Sequence, residues 1–225
     1  MTTTVGGQAA KSLPEVGSTP RTRIRRIPEK TVNDRAALHA VLDAGLVAHL
    51  GILDGDQPFV VPVGYARDGD RVLFHGSTGS RLFRLLAEGA PTCFTVTLLD
   101  GLVLARSAFE SSMNYRGVMA LGQCTVLEGA EKDHALRLIS DHLLPDRWDD
   151  IRPPSRKELA ATTVLALQLD EVSVKISEGG PVDAEEDLDR PSWAGHVPMI
   201  EVFGEPVPAE DNVMELPDYV QGWTR

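Results

Sequence analysis

Apolar and polar residues alternate in short runs between residues 46 and 127, and small polar residues separate the runs. A period of two predicts β-strands, because successive side chains of a strand point to opposite faces of the sheet. Strands are predicted at 46–53, 59–66, 71–75, 92–99, 102–105 and 115–127. The intervening segments 54–56 and 67–70 contain Asp and Gly, so the first three strands are predicted to form an antiparallel meander.

Segments whose apolar residues have helical spacing lie before, within and after this series of strands. Asn33 is predicted to cap a helix that ends at Gly45, and further helices are predicted at 80–88 and 131–143. A last strand is predicted at 163–176. The sequence therefore predicts a mainly β fold with flanking helices, in which six or seven antiparallel strands close into a small barrel.

Pro62 stands inside the strand predicted at 59–66 and has no backbone N–H to donate to a neighbouring strand. The strand is therefore predicted to lie at a sheet edge or to carry a bulge at this residue. A ligand would be able to approach the gap that such an edge leaves.

Composition divides the chain into three parts. Residues 1–20 are rich in Thr, Gly, Ser and Pro and are predicted to form a flexible leader. Residues 21–180 contain the predicted barrel and begin with a basic run. The sequence leaves open whether this run faces solvent or contacts the acidic loop, a phosphate ligand or nucleic acid. Residues 181–225 are predicted to form an acidic loop and an extended arm that carries Trp193.

The net charge of −11 argues against general affinity for nucleic acid. No apolar run is long enough to cross a bilayer and the N-terminus lacks an export signal, so no membrane partner is expected and a cytoplasmic location is predicted. Cys93 and Cys124 lie in apolar runs, which predicts reduced, buried thiols. No metal site is predicted, because the histidines His39, His134 and His142 converge with no cluster of Cys or carboxylates.

The stretch from His75 to Arg81 leads from a predicted strand through a polar turn into a predicted helix. Ser77 and Ser80 supply hydroxyl groups, and Gly76 supplies an unhindered backbone N–H. Arg81 supplies a guanidinium that can bind two phosphate oxygens. These groups suit a phosphate-binding turn, but they equally suit a capped turn before an amphipathic helix, and the residues alone leave both interpretations open.

The motif FHGSTGSRLFRLL resembles the flavin-binding core of the pyridoxamine phosphate oxidase-like split barrels. Within that superfamily the chain is most similar to the nitroimidazole-resistance-protein-like, flavin-nucleotide-binding branch, in which a His-Gly pair ends one strand and a Tyr-Arg pair opens a later one. His75 and Gly76 match the first pair, and Tyr115 and Arg116 match the second. The resemblance covers residues 21–200 and implies an FMN-binding split barrel.

The resemblance also implies roles for the matching residues. Ser80 and Arg81 fall on the pair that holds the FMN phosphate in the oxidases, and Ser77 is expected to assist them. The isoalloxazine ring is implied to lie at a homodimer interface, framed by backbone groups of Val61, Pro62 and Val63.

The implied cofactor site also includes His75, Tyr115, Arg116 and Trp193. His75 is expected near the flavin ring as a catalytic residue that hydrogen-bonds or moves a proton, with an imidazole bound to a turn backbone as the alternative. Trp193 is expected to cover the pocket. Leu82 replaces a lysine of the oxidases, so the resemblance does not extend to turnover of pyridoxamine phosphate.

The function that the resemblance implies is that of an FMN-dependent oxidoreductase. Electrons would pass from a nicotinamide donor through FMN to a small oxidised acceptor, such as a nitro compound or a quinone. Two alternatives stay open: the same fold with deazaflavin or haem in place of FMN, and a flavin-binding carrier or sensor without enzymatic activity. The visible spectrum distinguishes the cofactors, and bleaching by NAD(P)H distinguishes an enzyme from a carrier.

Overall fold

The computed structural model describes residues 13–26 and 28–223. Its ten strands are β1 Thr31–Val32, β2 Val47–Asp54, β3 Gln57–Asp68, β4 Arg71–Ser77, β5 Thr92–Leu104, β6 Ser112–Gly122, β7 Cys124–Val126, β8 Thr162–Gln168, β9 Glu171–Ser177 and β10 Gly195–Pro198. Its α-helices are α1 Arg35–Ala44, α2 Arg81–Ala87, α3 Gly129–Leu143, α4 Arg156–Ala160 and α5 Asp218–Gln221. In the described part of the chain, no helix is long and apolar enough to cross a membrane.

All strands join one antiparallel sheet in the order β1-β9-β6-β5-β2-β3-β4-β8-β7, and β10 pairs with β5. Its concave face encloses a core in which Tyr65, Phe74 and Phe94 are fully buried. The rings of Tyr65 and Phe94 meet edge to face with centroids 5.2 Å apart. The consecutive strands β8 and β9 do not pair with each other, because β8 pairs with β4 and β9 pairs with β6. The predicted fold class is confirmed.

Several predicted strands have other limits. The segments 92–99 and 102–105 form the single strand β5, which continues through a bulge. The segment 163–176 is not one strand but two, because β8 pairs with β4 while β9 pairs with β6. The segment 115–127 is divided into β6 and β7 in the same way. Each division is a place where the chain changes its partner strand.

Residues 13–20, predicted as part of a flexible leader, pack against the barrel instead. Val16 is 1% exposed and belongs to the hydrophobic core. The N–H of Gly17 donates a hydrogen bond to the carbonyl of Val172 over 2.7 Å. The rest of the predicted leader, residues 1–12, lies outside the described residues.

The acidic loop and the arm are fastened to the barrel at separate points. Asp183 of the loop is buried and pairs with Arg106, at a distance of 2.7 Å between Oδ2 and Nη1. β10 adds the first part of the arm to β5. From residue 199 to residue 216 the arm contains no helix or strand. Its end is fastened by Trp223, whose Nε1 donates to the carbonyl of Pro145 over 3.2 Å.

Candidate functional site

The barrel opens between β3 and β4, where most of the predicted site residues lie. The two strands pair only over 65–68 and 71–74. Before residue 65, β3 pairs with β2 alone, and after residue 74, β4 pairs with β8 alone. We call this opening the fork, and its two sides are formed by Val61, Pro62 and Val63 on β3 and by His75, Gly76 and Ser77 on β4. The prediction that Pro62 lies at a sheet edge is confirmed.

The turn after β4 places hydroxyl groups at the fork, but its amides are already used. The N–H of Thr78 donates to the carbonyl of Ala161 over 2.9 Å, and that of Gly79 donates to Oγ of Ser77 over 3.2 Å. Ser80 precedes α2, yet its hydroxyl makes no capping hydrogen bond. α2 has only seven residues, so the dipole of this helix contributes little to binding an anion. The groups that can bind an anion here are the hydroxyls.

Gly76 has a packing role. It pairs with Thr163 of β8, and the ring of Phe83 lies directly against it. A Cβ atom at Gly76 would stand 2.2 Å from Cε2 of Phe83, and Phe83 is buried in the core. The close approach of α2 to β4 therefore explains a glycine here without any ligand.

Arg81 reaches across the fork from α2 to the hairpin of β2 and β3. Its guanidinium lies 3.9 Å from the centroid of the Phe59 ring, and its Nη1 lies 3.3 Å from Oδ2 of Asp54. The side chain is still 52% exposed. A cation is thus held over the opening by contacts weak enough for an anionic ligand to replace. Sequence reasoning missed Asp54 and Phe59, because only tertiary packing brings them to Arg81.

His75 lies on β4 opposite Val164, and its imidazole makes no hydrogen bond within the described residues. Its outer edge is exposed, but surrounding protein atoms desolvate the ring and lower the pKa of His75 from its ordinary value of 6.5. Desolvation therefore favours the neutral form of the imidazole. A neutral ring without a partner has one donor and one acceptor nitrogen free for a ligand.

Tyr115 and Arg116 lie on β6, which β5 and β2 separate from β3. The Arg116 guanidinium binds Asp100 through two hydrogen bonds, of 2.9 Å from Nε and 2.7 Å from Nη2. The structure therefore does not bring these residues to the fork of their own chain. Their predicted role in cofactor binding stays a prediction that requires a second copy.

Trp193 is 67% exposed and precedes β10, which pairs with the far half of β5. Its ring lies against Gly195, where a Cβ would stand 2.7 Å from Cη2. The sheet order places β10 away from the fork, so the covering role of Trp193 also stays a prediction.

The other candidate reactive side chains are cysteines, histidines and carboxylates. Among the described residues, no group of three or more His, Cys, Asp or Glu comes together to hold a metal. Cys93 and Cys124 are free, and burial raises the pKa of Cys124 to about 12, so this thiol stays protonated at neutral pH. The sequence pattern indicated that His49 is packed, but it is exposed, since it alternates with buried Ala48 and Leu50 along β2.

A sheet that is split beside an arginine-bearing turn defines the class of split-barrel proteins. The chain belongs to the pyridoxamine 5′-phosphate oxidase family, whose sequence model matches residues 34–176. The predicted resemblance is confirmed. A comparison with curated proteins finds no match.

Two solved structures are similar over most of the chain. The FAD and haem binding protein from Mycobacterium smegmatis is 42% identical with a TM-score of 0.84, and the match covers 87% of this chain and 97% of that one. The flavocytochrome Anf3 from Azotobacter vinelandii is 39% identical with a TM-score of 0.87, covering 92% and 98%. A protein described as a 5-nitroimidazole antibiotic resistance protein, from Bacteroides thetaiotaomicron, shares the fold at 22% identity and a TM-score of 0.56, covering 65% and 86%.

Proposed function

We propose that this chain is a flavin-binding protein that holds the flavin phosphate at the fork. The observation that carries the proposal is Arg81, whose half-exposed guanidinium is placed over an open sheet edge beside the unused hydroxyl of Ser80. The family and the names of the two similar structures support a flavin, and the name of the Mycobacterium smegmatis protein favours FAD over the FMN that the sequence predicts.

Each residue at the fork then has a defined task. Arg81 exchanges its contact with Asp54 for the phosphate, and the hydroxyls of Ser77 and Ser80 donate hydrogen bonds to it. His75 donates or accepts one hydrogen bond at the mouth of the fork. When bound, a flavin supplies electron-transfer chemistry. We propose an oxidoreductase that takes electrons from a nicotinamide donor in the cytoplasm, which bleaching of the flavin by NAD(P)H and its reoxidation by a small acceptor would test.

Replacing Arg81 with Ala is expected to weaken flavin retention at least tenfold, because a charge-assisted hydrogen bond to phosphate contributes roughly 1.5–3 kcal/mol. The free energy of unfolding should fall by less than about 1 kcal/mol, since the ion pair with Asp54 is exposed. Absorbance after dialysis measures retention, and chromatography of the released cofactor separates FAD from FMN. The matched control is Arg84→Ala, an exposed arginine one turn along the same helix. Equal retention in both variants would remove Arg81 from the phosphate site.

We also propose that a second copy of the chain completes the site, with the cofactor at the interface. The outer face of β2 and β3 exposes the apolar side chains of Val47, Leu53 and Val60, at 50%, 61% and 66%. Their strands are adjacent in register, since Gly51 pairs with Val60. Exposed apolar side chains on one face of a sheet are typical of an interaction surface, and here they flank the exposed side chain of His49.

The Val60→Glu substitution is expected to shift the protein from dimer to monomer, because it places a carboxylate in the centre of this face. Sedimentation velocity measures the shift at several protein concentrations. Val182→Glu is the control, as Val182 is 82% exposed but lies in the acidic loop. A dimer that persists in the Val60 variant, or a wild type that sediments as a monomer, would contradict the proposal.

A second candidate ligand is haem, which the name of the Mycobacterium smegmatis protein includes, while the Azotobacter vinelandii protein is named a flavocytochrome. Imidazole is a common axial ligand of haem iron. Four exposed histidines have imidazole rings that make no hydrogen bond within the described residues, namely His49, His75, His134 and His196. By contrast, His39 binds Asp70 and His142 binds the carbonyl of Gly45.

If haem binds, the purified protein is expected to show a Soret band that disappears when one of the four unpartnered histidines is changed to Ala. The variants His39→Ala and His142→Ala are expected to keep the band, because their imidazoles already have protein partners. A band that all four variants retain would exclude ligation by these histidines.

A further inference from the structure

A second opening lies beneath the C-terminal arm. It is a cavity of about 690 Å³ between the end of α1, the middle of β5, the end of α3 and the arm at 199–203. Its lining includes Ala44, Leu99, Arg116, Leu143, Met199 and Phe203. No fork residue is part of this lining, so the cavity is distinct from the fork of the same chain. Arg116, which the resemblance assigns to the cofactor site, does line it.

The arm that forms one wall is fixed at both ends. The N–H of Met199 donates to the carbonyl of Asp100 over 2.9 Å. The ring of Phe203 packs against that of Trp223 with centroids 5.8 Å apart. This wall lies outside residues 34–176, so the cavity is not a property of the family's common core.

The charged groups around the cavity are already paired. Arg116 and Asp100 share two hydrogen bonds, and Asp43 is bound by Arg67 through two more, of 2.8 and 2.7 Å. Glu201 is not free either, because its residue makes a polar or electrostatic contact within the chain. A charged ligand would have to break one of these pairs and leave its partner uncompensated. The cavity therefore favours an uncharged ligand.

The remaining surface is mostly apolar and offers few hydrogen-bond donors, among them the hydroxyl of Thr97 and one nitrogen of Arg116. Nine of the fifteen lining residues are apolar. The ring of His142 is occupied by the carbonyl of Gly45, over 2.7 Å from Nε2. Of the nitrogens of Arg116, Nη1 makes no hydrogen bond within the described residues, while Nε and Nη2 bind Asp100. A carbonyl oxygen is the complementary acceptor for such a nitrogen.

We propose that this cavity binds an uncharged cyclic carbonyl compound of the quinone type. Its ring packs against Leu99 and Phe203, and one carbonyl oxygen accepts a hydrogen bond from Nη1 of Arg116. The site is large enough for a one- or two-ring compound, because ligand cavities in proteins are roughly 300–1,000 Å³. The proposal concerns binding at this cavity and does not depend on a flavin at the fork.

Duroquinone is a suitable probe, because its fully substituted ring does not alkylate the two free cysteines. Isothermal titration calorimetry measures its binding to the full chain. The variant Ala44→Trp places an indole in the cavity and is expected to raise the Kd at least tenfold. The matched control Ala40→Trp adds the same side chain to the same helix at another exposed alanine, outside the lining, and should bind as the wild type does.

A second blocking variant guards against a folding defect at Ala44. Ile200 is 79% exposed on the opposite wall, so Ile200→Trp is expected to fold and also to raise the Kd at least tenfold. Tetramethylterephthalate, which has a similar ring but two negative charges, should bind at least tenfold more weakly than duroquinone. Undiminished binding to both blocked variants, no binding to the wild type, or equal affinity for the dianion would each overturn the proposal. Flavin loss in Arg81→Ala bears on the fork alone, because Arg81 does not line this cavity.

Discussion

Replacing Gly76 with Ala is expected to lower the free energy of unfolding by about 2 kcal/mol, the typical cost of overpacking a core. The added Cβ would stand 2.2 Å from Cε2 and 2.5 Å from Cδ2 of Phe83. Phe83 is 5% exposed and its ring also meets that of Phe74, at 6.2 Å between centroids, so it has little room to move. Urea denaturation measures the loss.

Gly79→Ala is the control for this substitution. It lies in the adjoining turn, and its added Cβ would meet only Oγ of Ser77, at an ordinary 3.6 Å. Its unfolding free energy should stay within about 0.5 kcal/mol of the wild type. In a Phe83→Leu background the cost of Gly76→Ala should shrink, since the clashing ring is gone. The same cost in both backgrounds would show that packing against Phe83 is not the cause.

Replacing Arg106 with Met is expected to lower the free energy of unfolding by about 3 kcal/mol, because it leaves a buried carboxylate without a counter-charge. The Asp183 side chain is only 2% exposed. It accepts hydrogen bonds from Nη1 of Arg106, over 2.7 Å, and from the backbone N–H of Arg106, over 2.5 Å. The backbone contact remains in the variant. Nε of Arg106 is buried without a hydrogen-bond partner, which already reduces the net contribution of this ion pair to the free energy of unfolding.

The comparison for Arg106 is an exposed pair. Arg152 binds Glu158 with side chains 71% and 49% exposed, so Arg152→Met should cost less than about 1 kcal/mol. The double variant Arg106→Met with Asp183→Asn should recover most of the lost stability, because the buried charge is removed. Equal losses for Arg106 and Arg152, or no recovery in the double variant, would contradict this account. Urea denaturation at pH 7 provides all four values.

Local patterns were sufficient to predict the meander of β2, β3 and β4. Each of its tight turns needs a residue with positive φ, and the sequence supplies Gly55 and Gly69, whose φ values are 64° and 58°. Pro62 was equally informative, because a missing N–H is a property of the residue itself. These features depend on neighbouring residues only.

The division between β8 and β9 was harder to predict, although the sequence contains a signal for it. The apolar residues at odd positions end with Leu169, and those at even positions begin with Val172. A strand cannot shift its alternation without a turn or a bulge. The sequence shows this shift of the apolar positions at 169–171, but no Gly or Pro stands there to indicate a turn.

The site was predictable in part for a similar reason. The residues from His75 to Arg81 are adjacent in sequence, so one motif identifies them together. The contact of Arg81 with Asp54 depends on how the hairpin of β2 and β3 is placed. Similarity to the family matches Arg116 to a cofactor-binding position. It does not show whether Arg116 serves the site of its own chain or that of a second copy.

The pairing of β1 with β9 has a consequence for synthesis. Thr31 lies beside Lys175, so β1 gains its partner strand only after about 140 further residues have been synthesised. Closing so long a loop is slow, and until it happens β6 lacks the strand that covers its outer edge. The nascent protein is therefore expected to need protection from aggregation until β9 has been synthesised and has paired with β6.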